Sequence, residues 1–374
     1  METVLFITNK IFIDLNEKEG GVRLCTLDYI KLLKTNFKVQ IFELNFNTSF
    51  FFKIKAKFGI DVFNDYKEND YLEKLVLQIK QNNITKVFIN LSSASALSKS
   101  IKFFFGDSVK IILCSHGIEA GDFLHHSVRV KNYFSKIKQF TSAWKLGKIL
   151  QRELEYRIEN FDLILTVSEI ELAIEYWIGA KQVFFVPRVF EPNFLNWQPI
   201  LGRVGFIGDV SHYPNYYGLL QLCKSIEKTD LKNNIQLVIV GKKSNNIEQL
   251  TNKYSFINYL GYLDNHELET EASTWMFFLN LVFYYSKGVS TKLAKGMNWG
   301  LPIISTIAGN RGYVLSTNDV ITCETPQEIV EQIEDKMKDI KGLNIIARKI
   351  KEAVNEFKSY DDIMNKLEPI LMKL

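Results

Sequence analysis

The chain has few of the residues that cross-link or punctuate a fold. It carries four cysteines in 374 residues, Cys25, Cys114, Cys223 and Cys323. They lie far apart with no CxxC pair, which excludes a zinc ribbon or a disulfide framework and reads as small core residues in a reducing cytoplasm. Long apolar runs are missing too. The longest, Trp275 to Tyr285, is broken by Asn280 and reaches about half of the roughly 20 residues a membrane helix needs. Met1 to Asn9 has neither a basic leader nor a long apolar stretch, so no signal peptide is expected. The excess of positive charge is only +4, too small for a dedicated nucleic-acid binder. No Asp-x-Asp pair occurs, which argues against a divalent-metal nucleotide-sugar site of the single-sheet kind. No GxxxxGK[ST], GxSxG or GxGxxG follows a strand, which argues against a P-loop ATPase, an α/β-hydrolase and a standard dinucleotide fold.

What is present is core-forming material. The sequence is 47% hydrophobic and 13% aromatic, so it can bury a sizeable core, and its length suggests two domains. Apolar runs at 4–8, 38–44, 86–90, 110–114, 162–167 and 182–186 read as strands. Between the first two, Gly20-Gly21 opens a helix over 22–34 with apolar residues at 24, 27, 30 and 33. Pro187, Pro192 and Pro199 crowd three of the seven prolines into a segment with no period, the place for an interdomain linker. The strand pattern restarts at 203–208, 236–241, 256–261, 275–281 and 301–306. Short apolar strands alternating with helical stretches imply parallel sheets covered on both faces, one doubly wound α/β domain in each half. The tail from Pro326 is helical and charged, with Ile329, Ile333 and Met337 at one spacing and Ile363, Leu367 and Leu371 at another.

In open parallel sheets, ligands sit at the carboxyl ends of the strands. Gly20-Gly21 would let an anion approach a helix N-terminus there, although an isolated Gly-Gly also fits an ordinary turn. Cys114 runs into Ser115-His116-Gly117-Ile118-Glu119, where His116 is placed either to donate to a ligand or to sit in the core. In the second half Lys242 and Lys243 follow a strand. Gly288-Val-Ser-Thr-Lys292 opens another helix, with Ser290 or Thr291 as N-cap, and hydroxyls and a lysine at a helix N-terminus suit phosphate.

These residues together resemble the GT-B glycosyltransferases, specifically the family 4 or "group 1" type that assembles bacterial surface glycans. The resemblance runs over nearly the whole chain: Gly20-Gly21, Ser115 to Glu119, Phe161 to Glu169, Gly179 to Pro187, Val204 to Gly208 with Pro214-Asn215, Leu237 to Gly241, Gly261-Tyr262-Leu263, and Gly288 through Gly300 to Thr306. It implies two Rossmann-like domains facing a central cleft. The first, 1–195, would bind the acceptor and the second, 196–355, a nucleotide-activated sugar, with a helix over 356–374 returning to the first. Gly261, Tyr262 and Leu263 would lie near the base. Gly208, Ser290, Thr291 and Lys292 with Lys242 or Lys243 would face the phosphates, Gly20-Gly21 would close on them, and His116 would touch the sugar. His116 and Lys292 are the catalytic candidates. Reaction with retention, no cofactor and no metal are implied as well.

Two departures stand out. The family usually has two glutamates eight positions apart where this chain has Lys287 and Lys295. A lysine cannot accept from ribose as a carboxylate does, so the donor pocket is altered or the site degenerate. The usual Arg and Lys after the first strand of the second domain are replaced by Asp209-Val-Ser-His212, and Lys287, Lys292 and Lys295 are candidates to restore that charge.

Charge is uneven along the chain. Residues 1–199 hold 26 basic and 22 acidic residues, leaving 20 of each for the remainder. Between Asp122 and Glu153 there are seven basic residues and no acid. Tyr133, Phe134, Ile137, Phe140 and Trp144 are interleaved among them. Either an interfacial helix with Lys136, Lys138, Trp144 and Lys145 facing anionic lipid, or a solvated helix with its aromatics packed inward, fits this pattern. The expected location is therefore cytoplasmic, peripheral on the inner face of the cell membrane. The expected partners are a nucleotide-sugar and a glycan or lipid-linked acceptor, with no nucleic acid. Alternatives are a degenerate subunit that stabilises a catalytic partner, a sugar-nucleotide epimerase and, least supported, a two-domain ligand sensor.

Overall fold

A computed structural model describes the chain except residues 15–19, 58–62, 131–135, 314 and 316–319, and the side chains of 56–57, 126–130 and 136–138. The backbone divides into two compact units. One is Met1–Val189 with Lys287–Val289 and Lys358–Leu374; the other is Phe190–Ser286 with Ser290–Phe357.

The first unit is built on six parallel strands, β1 (Thr3–Asn9), β2 (Lys38–Leu44), β3 (Lys86–Asn90), β4 (Lys110–Cys114), β5 (Leu163–Thr166) and β6 (Val183–Phe185). Their order is β2-β1-β3-β4-β5-β6. Strands such as Ile111-Ile-Leu-Cys114 are buried throughout, as a strand covered on both faces requires, and that is why they read as continuous apolar runs. Helix Gly21–Asn36 covers part of this sheet. Of the expected stripe, Ile30 and Leu33 are buried and Leu24 and Leu27 half-buried, but the packed face is broader and takes in Cys25, Thr26, Tyr29 and Leu32. The reason is a second neighbour, the helix Tyr360–Lys373, which lies against it through Tyr360 to Asp28 (3.0 Å) and Asn36 to Glu368 (2.9 Å). That last helix buries Ile363, Met364, Leu367 and Leu371, the spacing read from the sequence.

The second unit holds β7 (Arg203–Ile207), β8 (Gln236–Val240), β9 (Ile257–Gly261), β10 (Phe277–Asn280), β11 (Ile303–Thr306) and β12 (Ile321–Cys323), all parallel, in the order β12-β11-β10-β7-β8-β9. Both sheets are doubly wound, as the alternation of strands and helices implies. The strand order reverses between β1 and β3 in the first unit and between β7 and β10 in the second. Beyond the carboxyl ends of such a pair the connecting loops part and leave a crevice.

Candidate functional site

In the second unit the carboxyl edge beside β7 is stripped to backbone. The Gly208 N–H donates to Val240 O (3.0 Å) and the Gly241 N–H to Gly261 O (2.8 Å), so three strand-end glycines lie in one row. A Cβ on Gly241 would sit 2.2 Å from the Gly208 carbonyl oxygen, so no side chain fits there. Tyr262 is exposed and Leu263 half-buried beyond this row. Lys242 and Lys243 are both exposed, and Lys243 pairs with Glu248 at 3.1 Å.

Helix Thr291–Trp299 starts at the same edge. Ser290 is its N-cap, accepting from the Leu293 N–H at 3.3 Å. The buried Asn280, at the end of β10, accepts from the Ser290 hydroxyl at 3.2 Å and anchors the cap to the sheet. Thr291 is the first helical residue and is half-buried. Lys292 donates to Asn215 Oδ1 and lies 5.0 Å from the centre of the Phe206 ring. Burial, with the nearby Arg311 charge adding to it, pushes the Lys292 ammonium down to about 7. Asn215 is itself held by donating to the Asp209 carbonyl (2.9 Å). Lys295 sits one turn on, 5.2 Å over the Trp299 ring. Neither Asn215 nor Arg311 was assigned a role from the sequence. Pro214-Asn215 carried a usable signal; Arg311, in an irregular loop after β11, carried none.

The segment Lys287–Val289 belongs to the first unit. Lys287 pairs with Glu119 (2.5 Å), Lys292 with Asn215, and Lys295 stacks on Trp299, so three lysines have three different partners. Burial opposes the Lys287 charge, yet Glu119 and its neighbouring acids hold its pKa above the ordinary lysine value.

His116 follows β4 and is buried. Its Nε2 lies 2.8 Å from Asn90 Oδ1. The Asn90 amide group donates to the Thr8 and Thr26 hydroxyls, at 2.9 Å each, so Oδ1 must be the acceptor and Nε2 carries the proton. Burial, then the Lys287 charge, pushes His116 down to about 3. The imidazole is therefore neutral and retains the Nδ1 lone pair for a further partner, which revises the expectation of a hydrogen-bond donor. Gly117 is fixed at φ +124, where a Cβ would meet Glu171 Oε1 and Lys287 Cβ at 2.5 Å. Gly20 caps helix Gly21–Asn36 with an ordinary extended backbone and nothing within 4 Å of a would-be Cβ; Gly21 opens that helix.

The loops after β1 and β3 border a pocket of about 500 Å³, walled by Phe12, Phe46, Phe63 and Phe123 on its apolar side. Asp65, Glu119, Asp122, Lys145 and Lys287 supply its charges. Its parts are scattered from residue 12 to residue 287, and no local sequence pattern marks them.

Residues 202–339 match the family model described as "Glycosyl transferases group 1". The chain carries a group 1 glycosyltransferase domain. No curated protein matches it by sequence. Among solved structures, sucrose-phosphate synthase from Thermosynechococcus elongatus is similar with a TM-score of 0.72 and 14% identity, over 100% of this chain and 99% of that one. Anabaena HepE, solved with UDP and glucose, gives 0.62 and 11% over 100% of both chains. WaaG, a glycosyltransferase involved in lipopolysaccharide biosynthesis, gives 0.61 and 11% over 98% and 99%. These likenesses are of fold: the chain adopts the GT-B fold.

Beside that domain, the first unit carries the basic stretch. It forms the helices Glu119–Val130 and Lys136–Glu159. Lys131, Tyr133 and Phe134 lie outside the described residues, as do the side chains of Lys136, Ile137 and Lys138. Phe140 is 70% exposed and Trp144 55%, so these two aromatics do not pack inward as the solvated-helix alternative requires. Lys148 lies 5.1 Å over the Trp144 ring and Lys145 5.4 Å from the Phe123 ring. Another helix, Phe50–Lys57, exposes Phe50, Phe51 and Ile54 beside Lys53 and Lys55. Among the described residues, no helix is long and apolar enough to cross a membrane.

Proposed function

We propose that the protein moves a sugar from a nucleotide-sugar donor to a glycan or lipid-linked saccharide, with retention and without a metal ion, the second unit binding the donor and the first the acceptor. The observation that carries this reading is the cationic edge of the second sheet: Lys292 beside Arg311, the capped N-terminus of helix Thr291–Trp299, and the bare glycine row at Gly208, Gly241 and Gly261. Departure of a nucleoside diphosphate develops negative charge on phosphate oxygens, and fixed cations and helix N–H groups aimed at that charge lower the barrier. Lys292 supplies the charge, Asn215 orients it, and the glycines let phosphates approach the backbone. His116, neutral with a free-facing lone pair, accepts from a hydroxyl of the bound sugar. That HepE was solved with UDP and glucose supports a UDP-linked donor.

The exposed Phe140 and Trp144, on a basic helix whose Lys145 also borders the first unit's pocket, support work at the inner face of an anionic membrane, where lipid-linked acceptors reside. The donor assignment is tested by thermal shift with UDP-, GDP-, dTDP- and CMP-sugars in the presence of EDTA. One of them is expected to raise the melting temperature of the wild type and not of Lys292→Ala. Stabilisation by none of them would instead favour the degenerate-subunit alternative, which Lys287 and Lys295 motivate.

A further inference from the structure

The pocket between the loops after β1 and β3 has two kinds of wall. Phe12 and Phe46 meet edge-to-face at 6.3 Å, and Phe46 stacks on Tyr66 at 5.3 Å, so the apolar side is a set of braced rings. Flat aromatic faces suit the C–H face of a sugar ring, and a few convergent polar groups fix its orientation. The polar side holds three carboxylates, Asp65, Glu119 and Asp122, against two ammonium groups, Lys145 and Lys287. Most of these are already engaged: Lys287 is paired with Glu119, Asp122 accepts the Lys287 backbone N–H at 3.3 Å, and Lys145 lies near the Phe123 ring. Asp65 differs. Among the described residues its carboxylate makes no hydrogen bond or ion pair.

We propose that this pocket holds an acceptor sugar ring that bears hydroxyl or amino groups and no carboxylate, with Asp65 accepting from it. The term acceptor rests on the transferase reading; the selection against acidic sugars rests on the pocket alone. An ionised carboxylate is acceptor-only, so it needs a donor from its ligand. A uronic acid would instead bring a like charge beside Asp65 and Asp122, in a pocket whose Lys287 is already paired with Glu119, and rejection by like charge is an efficient source of specificity. The protonation behaviour agrees. Burial, then the Glu119 charge, pushes the Asp65 carboxyl up to about 6, with Lys287 acting in the opposite direction. The groups facing the pocket with it are Glu119, Asp122, Lys145 and Lys287, and the discrimination should weaken as the pH falls from 7.5 to 5 and Asp65 takes up its proton.

The test is ligand-observed NMR on the full chain with the methyl glycosides of glucose, glucosamine and glucuronic acid. At pH 7.5 the first two are expected to bind the wild type at least about tenfold more tightly than the glucuronide, a difference of about 1.4 kcal/mol. In Asp65→Asn, with its fold checked by thermal melting, the gap is expected to close to about twofold. Phe46→Ala, an independent variant, is expected to lose all three. Equal binding of the glucuronide by the wild type, a gap that survives Asp65→Asn, or no binding of any glycoside would overturn the proposal. Nucleotide-sugar thermal shifts on the same samples separate the two readings. A chain that binds donor but no glycoside rejects the pocket and keeps the transferase reading, whereas glycoside binding without any donor keeps the pocket and rejects the transferase.

Discussion

At the scale of single residues, Lys292 is the side chain whose environment says most about chemistry. Its ammonium is held near pH 7 by burial and by Arg311, so the site is poised between charged and neutral. A phosphate placed beside it favours the ammonium and raises its pKa in the complex. Between pH 7 and that higher value, donor binding must take up a proton; below pH 7 it need not. Affinity is therefore expected to fall as the pH rises above 7, with uptake approaching one proton near pH 8. Isothermal titration calorimetry in two buffers of different ionisation enthalpy reads this directly, and Lys292→Met should abolish the uptake. Zero uptake by the wild type would separate Lys292 from the phosphates. Ser290 and Lys292 were legible because capping chemistry is local: a hydroxyl at a helix start has one strongly favoured use. Arg311 and Asn215 act through distance in space, which the sequence does not display.

At the scale of elements, helix Lys136–Glu159 has two different faces. Its inner side carries Ile149, Glu153 and Arg157, all buried, with Arg157 bonded to Glu175 through Nε (2.6 Å) and a terminal nitrogen (3.1 Å). Glu153 accepts the N–H groups of Glu119 and Ala120, at 2.8 and 3.1 Å, and so pins the start of helix Glu119–Val130. The outer side presents Phe140 and Trp144. Anionic lipid would attract the basic residues near its surface by about 1 kcal/mol each. Lys136, Lys138 and Lys145 changed together to Glu should therefore shift the protein out of the floating fraction in a flotation assay with phosphatidylglycerol liposomes, and Phe140→Ala with Trp144→Ala should do so independently. Unchanged flotation in both would remove the membrane from the account. Strand positions were legible because strands buried on both faces are continuous apolar runs, while β12, Ile321-Thr-Cys323, buries only Cys323 and offers no such run. The buried face of the first long helix is broader than its stripe because sequence periodicity cannot reveal that a helix packs on two sides.

At the scale of the whole molecule, the first unit depends on residues far along the chain. Helix Tyr360–Lys373 covers helix Gly21–Asn36 and buries four apolar side chains within that unit. Ending the chain at Phe357 would expose this surface, and roughly 1.5–3 kcal/mol per buried side chain is at stake. The truncated protein is expected to unfold in two steps, the first unit at a lower denaturant concentration than in the full chain and the second, Phe190–Ser286 with Ser290–Phe357, nearly unchanged. A single transition at the wild-type midpoint would show that the helix contributes little. The two-domain α/β organisation is legible in the restart of the strand pattern after the prolines; that Lys287–Val289 belongs to the first unit is not, because three residues carry no periodicity of their own.

The discontinuity of the first unit bears on how the protein is made. During synthesis its six strands emerge first but lack both Lys287–Val289 and the closing helix, whereas every residue of the second unit is present as soon as Phe357 has emerged. Domains generally fold as units from the N-terminus onward. Here the first unit is completed after the second: helix Gly21–Asn36 lacks its cover until Tyr360–Lys373 has emerged. Chaperone demand during synthesis should therefore concentrate on the first unit.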